Sequence, residues 1–221
     1  MGKNVEMLLD SVRDIWASYD SHPFVMGIAD GSLDKEKFKY YMIQDYLYLY
    51  DYARVFAIGS AKAADPETMK VFAGYVDQIL NGEMEIHRGY MSRLGISLKE
   101  AESSKMALDN LSYTSYMLRV AYEGGAAETA ASILSCAVSY EMIAKNILLR
   151  HPEAIKHEFY GEWISGYADP GYAAANRKLE ELMEKLTSDM SVSELDRLKT
   201  IFINCSLYEK LFWDMAWEMR P

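Results

Sequence analysis

The 221-residue sequence predicts an all-α fold, a single-domain antiparallel helical bundle spanning residues 1–221. Leu, Met, Ala, Glu and Lys dominate, and nowhere do Val, Ile and Thr alternate with polar residues over a strand's length. The 13 Gly and 5 Pro fall mostly between periodic segments, with no linker, repeat or low-complexity tract to mark a second domain. A first helix is expected over about 4–19, closed by His22-Pro23, because the residue before proline is pushed out of helical geometry. Gly31-Ser32 is expected to cap the next, with Asp34 and Glu36 in a first turn that favours negative charge, and this helix should run to about residue 64. Asp65-Pro66-Glu67 reads as N-cap, N1 proline and acidic first turn. Ser97-x-x-Glu100 and Ser191-x-x-Glu194 have the spacing of capping boxes. Gly124-Gly125 divides helices of about 105–123 and 126–149, and Asp169-Pro170-Gly171 precedes one of about 171–187. The last helix is expected over about 192–219. Long helices with short connections build their sites in the core between facing helices.

Composition narrows the function. The formal charge is −10, with 23 Lys+Arg against 33 Asp+Glu and no basic cluster, which argues against nucleic-acid partners. Two Cys cannot make a disulfide framework and suit a reducing cytosol. The start, MGKNVEML, has no apolar signal region, and the apolar stretch 126–144 carries Glu128 and Glu141 and is not expected to span a membrane. A cytoplasmic protein with a small-molecule partner is the expectation.

Three places could carry chemistry. Tyr41, Asp45, Tyr48 and Tyr52 share one helix face at i, i+4, i+7 and i+11. Either this face packs against a neighbour with Asp45 bonded to a tyrosine hydroxyl, or it lines a pocket for a flat, nitrogen-containing ring, with rings stacking and the carboxylate accepting from an amino group. Cys136 sits on an Ala/Ser-rich helix with Tyr140 one turn on, and reads as a small buried hydrophobe unless a partner activates it. Glu209 borders the apolar run through Phe212 and Trp213. From spacing alone it reads as a solvated carboxylate on the Lys210 side, and at a cavity edge it would be a general acid. Cys205, one turn before it, is a rival thiol. Glu83-x-x-x-His87 puts two ligand types on one face, too few for a metal site. His22, His151 and His157 read as loop or helix-end residues, and no phosphate loop, G-x-S-x-G or Ser/His/Asp set occurs.

In order, these residues resemble the thiaminase II (TenA) family over essentially the whole length. The match runs through Trp16, His22-Pro23-Phe24, Gly31-Ser32-Leu33, Phe38, Gln44-Asp45-Tyr46, Glu83 with His87, and Tyr113. It continues with Cys136 and Tyr140, Trp163, Tyr167-Ala168, Tyr208-Glu209 and Phe212-Trp213. The resemblance implies a haem-oxygenase-like fold, a homotetramer and no cofactor. It implies hydrolysis of the C–N bond at the pyrimidine methylene of 4-amino-5-aminomethyl-2-methylpyrimidine, of thiamin, or of both, giving hydroxymethylpyrimidine for thiamin salvage. By the same resemblance Cys136 is the nucleophile and Glu209 the acid/base. Asp45 then holds the amino and ring nitrogens, Tyr48, Tyr113, Tyr140 and Tyr167 line the ring, and Phe212 closes the pocket. Ser135, Ala137-Val138-Ser139 and Asp169-Pro170-Gly171 depart from the family pattern, which bears on pocket shape. Two other readings stay open: a non-enzymatic pyrimidine-binding or regulatory module, needing neither Cys136 nor Glu209, and a metal-dependent enzyme of the same fold.

Overall fold

The structure, a computed structural model, describes residues 2–221. The helices are α1 (Lys3–Ser11), α2 (Arg13–Asp20), α3 (Pro23–Asp30), α4 (Lys35–Lys62), α5 (Pro66–Gln78), α6 (Met84–Arg93), α7 (Leu98–Ser103), α8 (Leu108–Glu123), α9 (Ala126–Arg150), α10 (Gly161–Tyr167), α11 (Pro170–Thr187) and α12 (Val192–Glu218). A π-helical turn, Ile79–Glu83, joins α5 to α6, and a 3-10 turn, Pro152–Lys156, follows α9. No strand occurs among the described residues.

α4, α8, α9 and α12 pack on one another at the centre, with α5 and α6 against α4 and α10 and α11 against α9. α9 can be central because its middle is Ala and Ser, small side chains that let helix backbones approach; two thirds of its most apolar stretch (67%) is buried inside the protein. The α9–α12 contact carries a buried polar chain. Trp16 Nε1 donates to Ser206 Oγ at 3.0 Å, and Ser206 Oγ lies 2.8 Å from Ser135 Oγ. Ser135, one of the departures from the family pattern, thus has a structural task. Gly59 of α4 lets α5 in close, since a Cβ there would sit 2.6 Å from the Phe72 ring.

Helix ends differ from expectation in four places. The first helix breaks at Val12, where Ser11 Oγ takes the Leu8 carbonyl at 2.6 Å and competes with the backbone ladder. Gly31 does not open α4: it ends α3 in the left-handed conformation (φ 78°), and Asp34 becomes the cap, accepting from Glu36 N at 2.8 Å. α4 ends at Lys62, ahead of the Asp65 cap of α5. α8 starts at Leu108, because Gln44 takes over the preceding loop, accepting from Ala107 N at 2.9 Å and donating to the Lys105 carbonyl at 3.0 Å. Ser97 caps α7 one-sidedly, whereas Ser191 and Glu194 form the reciprocal box.

Ser206→Ala removes the partner of a buried indole N–H and is expected to cost about 1–3 kcal/mol. At this chain length each kcal/mol lowers the melting temperature by roughly 2–4 °C, which calorimetry would read. An unchanged transition would show that the Trp16–Ser206–Ser135 chain does not matter.

Candidate active site

The α4 face read from the sequence is buried along its whole length: Tyr41, Asp45, Tyr48 and Tyr52 are each at most 6% exposed. Asp45 is not bonded to a tyrosine. Its Oδ2 lies 2.6 Å from Nε2 of His87, on α6. The Nδ1 of the same ring lies 3.0 Å from the carbonyl oxygen of Glu83, the last residue of the π turn. Both ring nitrogens are therefore engaged, and His87 does not stand free as a metal ligand. Among the described residues no group of three or more His, Cys, Asp or Glu is placed to hold a metal ion.

Asp45 and Glu83 face a narrow cavity of about 50 Å³ with Tyr48, Cys136, Tyr140 and Tyr167 on its walls. Tyr140 and Tyr167 meet with ring centroids 4.8 Å apart, and Tyr48 stacks on Tyr52 at 5.2 Å. A second cavity of about 200 Å³ adjoins it, sharing Gln78, Glu83, Tyr167 and Tyr172 and lined further by Met42, His87 and Trp163. Tyr113 and Phe212 stand behind the first cavity: each packs on Tyr48, at 5.4 and 5.9 Å between centroids. They shape the wall through Tyr48.

Cys136 is half-buried on that wall, whereas Cys205 is fully buried and lines neither cavity. The rival thiol is thus set aside by position. Glu209 is 2% exposed, so the solvated reading is wrong: α12 turns Lys210 outward and Glu209 into the core. The thiol of Cys136 and the hydroxyls of Tyr113 and Tyr140 are its polar neighbours. Even so, Glu209 Oε2 and Tyr113 Oη lack any well-formed hydrogen bond, as does Trp213 Nε1. Buried polar atoms are almost always paired, so orphans clustered beside a cavity call for a ligand or a catalytic task.

Burial and mutual repulsion set the proton affinities. Burial, reinforced by the charge of Asp45, pushes Glu209 up to about 8, with the Tyr113, Tyr140 and Cys136 neighbours pulling the other way. Burial also lifts Glu83 to about 7, His87 opposing and Asp45 adding to the rise. The Cys136 thiol is driven well above its ordinary value by burial and then by Glu209, despite the nearby Tyr48 hydroxyl. Thiol and Glu209 thus influence each other: each raises the other's cost of carrying a negative charge, and the thiol is a polar neighbour of the carboxyl.

The segments that hold two other departures from the family pattern make local contacts. The Ala137 carbonyl accepts from Tyr172 Oη at 3.1 Å and Asn176 Nδ2 at 3.0 Å, anchoring α11 against the cavity. Asp169 caps α11, accepting from Gly171 N at 2.7 Å. His22 and His157 serve as helix-end residues, His22 Nδ1 accepting from Phe24 N and His157 Nδ1 from Phe159 N and Tyr160 N. Sequence reasoning missed His87 as the partner of Asp45, and Glu83, Tyr172 and Asn176 as cavity residues. The Glu83/His87 spacing was the one available signal.

Comparison with known proteins agrees with this geometry. The profile of the TENA/THI-4/PQQC family matches residues 9–219. An aminopyrimidine aminohydrolase of Helicobacter pylori is 45% identical over 213 residues, 96% of this chain and 98% of that protein. A TenA homologue from P. horikoshii superposes with a TM-score of 0.88 at 30% identity, covering 97% of this chain and 98% of that one. A domain with a haem-oxygenase-like fold from Shewanella denitrificans matches with a TM-score of 0.79 over 97% of this chain and 92% of its own, at 15% identity, a likeness of fold alone. The fold is haem-oxygenase-like.

Two outcomes are expected. Its raised proton affinity leaves Cys136 little thiolate, so in the native protein it should react slowly with iodoacetamide, but faster than the fully buried Cys205, which is labelled only after unfolding, as peptide mass spectrometry would show; equal native rates would contradict the placement. Folding raises Glu209 from 4.5 to about 8, so the stability its bound proton contributes is full below 4.5 and lost as pH rises through about 8. Glu209→Gln should therefore raise the melting temperature more at about pH 9 than at about pH 5, and a pH-independent change would contradict the burial of that carboxyl.

Proposed function

Because the chain belongs to the TENA/THI-4/PQQC family, we propose that it is an aminopyrimidine aminohydrolase acting in thiamin salvage. Its substrate is 4-amino-5-aminomethyl-2-methylpyrimidine, and its products are hydroxymethylpyrimidine and ammonia. The observation that carries this reading is a thiol coupled to a buried, unpaired carboxyl beside a tyrosine-lined cavity, with Asp45 on the same cavity. A pyrimidine-binding module would use Asp45 and the tyrosines but has no need of that thiol–carboxyl pair.

The chemistry runs through the pair. The ring carbon is unreactive toward water, so a sulfur nucleophile adds first. As the Cys136 Sγ–C bond forms, the thiol proton passes to the Glu209 carboxylate and the ring electrons move onto a nitrogen that is held, protonated, at Asp45. Those electrons return to expel the arm: the C–N bond breaks, and the amine leaves with the proton from Glu209. Water adds to the exocyclic methylene and gives a proton to Glu209. The Sγ–C bond then breaks, the ring regains aromaticity, and the thiol takes its proton back. A carboxyl near 8 suits both tasks, because it is neither strongly acidic nor locked in one state. Tyr48, Tyr140 and Tyr167 hold the ring, with Tyr113 and Phe212 supporting Tyr48.

The neighbouring cavity of about 200 Å³ gives space for a leaving group larger than ammonia, which supports thiamin as a second substrate. A cytoplasmic homotetramer belongs to the same reading, and the exposed Leu108 and Leu111 on α8 and Leu207 and Leu211 on α12 offer apolar surface for it.

Release of ammonia from the aminomethylpyrimidine tests the proposal. Cys136→Ser and Glu209→Gln are each expected to lower kcat by about 10²–10⁴-fold, while Cys205→Ser keeps wild-type turnover. A folded wild-type protein that turns over neither this compound nor thiamin would overturn the reading, and loss in Cys205→Ser alone would overturn the site.

A further inference from the structure

The mechanism above leaves the buried imidazole of His87 without a task, although its surroundings fix its proton count. Nδ1 faces the Glu83 carbonyl oxygen at 3.0 Å, an atom that can only accept, so Nδ1 carries a hydrogen. A neutral ring protonated there has only a lone pair at Nε2, and a carboxylate has only lone pairs to meet it. The 2.6 Å contact between Nε2 and Asp45 Oδ2 therefore requires a proton in between. The pair is either an imidazolium with a carboxylate or a neutral ring with a carboxylic acid.

The charges around the ring decide between them. Asp45 from α4 and the Glu83 carboxyl from the π turn face it directly, and Glu162 of α10, paired with Arg93, shares the wall of the wider cavity. Beyond Asp45 lie Glu209, Cys136, Tyr41, Tyr140 and Tyr167, none of them cationic. No Lys or Arg lines either cavity. His87 is the one side chain on these walls that can offset a carboxylate. Burial disfavours the imidazolium, but the Asp45 hydrogen bond together with the Asp45 and Glu83 charges outweighs it and raises the ring above its ordinary value.

We propose that His87 is a positioning residue which, as an imidazolium, fixes Oδ2 of Asp45 and keeps that carboxyl ionised, so that Oδ1 meets the substrate as an acceptor for a protonated ring nitrogen. The inference rests on the aminohydrolase reading. Of three enclosed carboxyls, Asp45 is the one given a cation, and it is the one the chemistry needs charged. Without the imidazolium, no cation on these walls would fix Oδ2 of Asp45 or offset its charge, and Oδ1 would be less well placed to accept from a ring N–H.

The test has two arms. Long-range ¹H–¹⁵N spectra of the ligand-free wild-type protein read the ring state directly, and with four His in the chain the signals are assignable by substituting the other three. Both His87 nitrogens are expected to be protonated at neutral pH, and Asp45→Asn should return the ring to the neutral form. The second arm is kinetic. His87→Gln keeps a donor beside Asp45 but no charge, and is expected to lower kcat/KM by about 10²-fold at neutral pH. In an Asp45→Asn protein, His87→Gln should cost little further, because the imidazolium acts only through that carboxylate. A neutral His87 ring, unimpaired activity in His87→Gln, or a full further loss from His87→Gln in the Asp45→Asn protein would each overturn the proposal. If His87→Gln does not fold, the wild-type spectrum decides alone. A wild-type protein without turnover would remove the aminohydrolase reading, and the spectrum would still show whether the ion pair exists.

Discussion

Three carboxyl groups, Asp45, Glu83 and Glu209, are enclosed between α4, the π turn and α12 around one half-buried thiol, and a single imidazole is available to offset them. Isolated buried carboxylates are expensive, and the usual response is for the group to keep its proton. Burial moves Glu83 and Glu209 in that direction, to about 7 and about 8, while Asp45 is given His87. The site is thereby divided into a cationically supported acceptor on one side and a proton-exchanging thiol–carboxyl pair on the other. In the proposed reaction, that division lets one cavity stabilise charge on a ring and deliver a proton to a leaving amine.

The scaffold supplies this division from helix geometry. α4 presents Asp45 and the tyrosines on one face because 3.6-residue spacing stacks them. α9 brings Cys136 to the same place, its small residues permitting close contact with α12, which carries Glu209. The π turn adds a residue to one turn between α5 and α6, a distortion often found at functional sites. Here it turns the Glu83 carboxyl to the cavity and its carbonyl to His87. Tyr113, stacked on Tyr208 at 5.5 Å, and Phe212 form a second aromatic layer that holds Tyr48 in position.

Much of this was legible in the chain. Helix composition, the proline and aspartate caps at Asp65 and Asp169, and the i, i+4, i+7, i+11 face of α4 are local properties, and they are where expected. What was not legible depends on contacts distant in sequence. Asp45 and His87 stand 42 residues apart, so spacing could show Glu83 with His87 but not the carboxylate that His87 serves. Glu209, beside Lys210, has a local sequence that fits an exposed position equally well; only packing of α12 on α8 and α9 turns it inward. The late start of α8 follows from a side chain, Gln44, taking backbone partners of the preceding loop, and the break at Val12 coincides with Ser11 Oγ donating to the Leu8 carbonyl. The family resemblance named Cys136 and Glu209; the geometry brings the two side chains together.

The central claim is that the pyrimidine ring sits between Asp45 and Cys136 with its aminomethyl arm toward Glu209. A crystal structure of Cys136→Ser with 4-amino-5-aminomethyl-2-methylpyrimidine bound tests it most directly. The expected result places ring and amino nitrogens on Asp45 and the arm's nitrogen at about 3 Å from Glu209, with a ring carbon facing residue 136. A ring seated instead in the wider cavity against Met42 and Trp163, its arm on Glu83 and out of reach of residue 136, would contradict it.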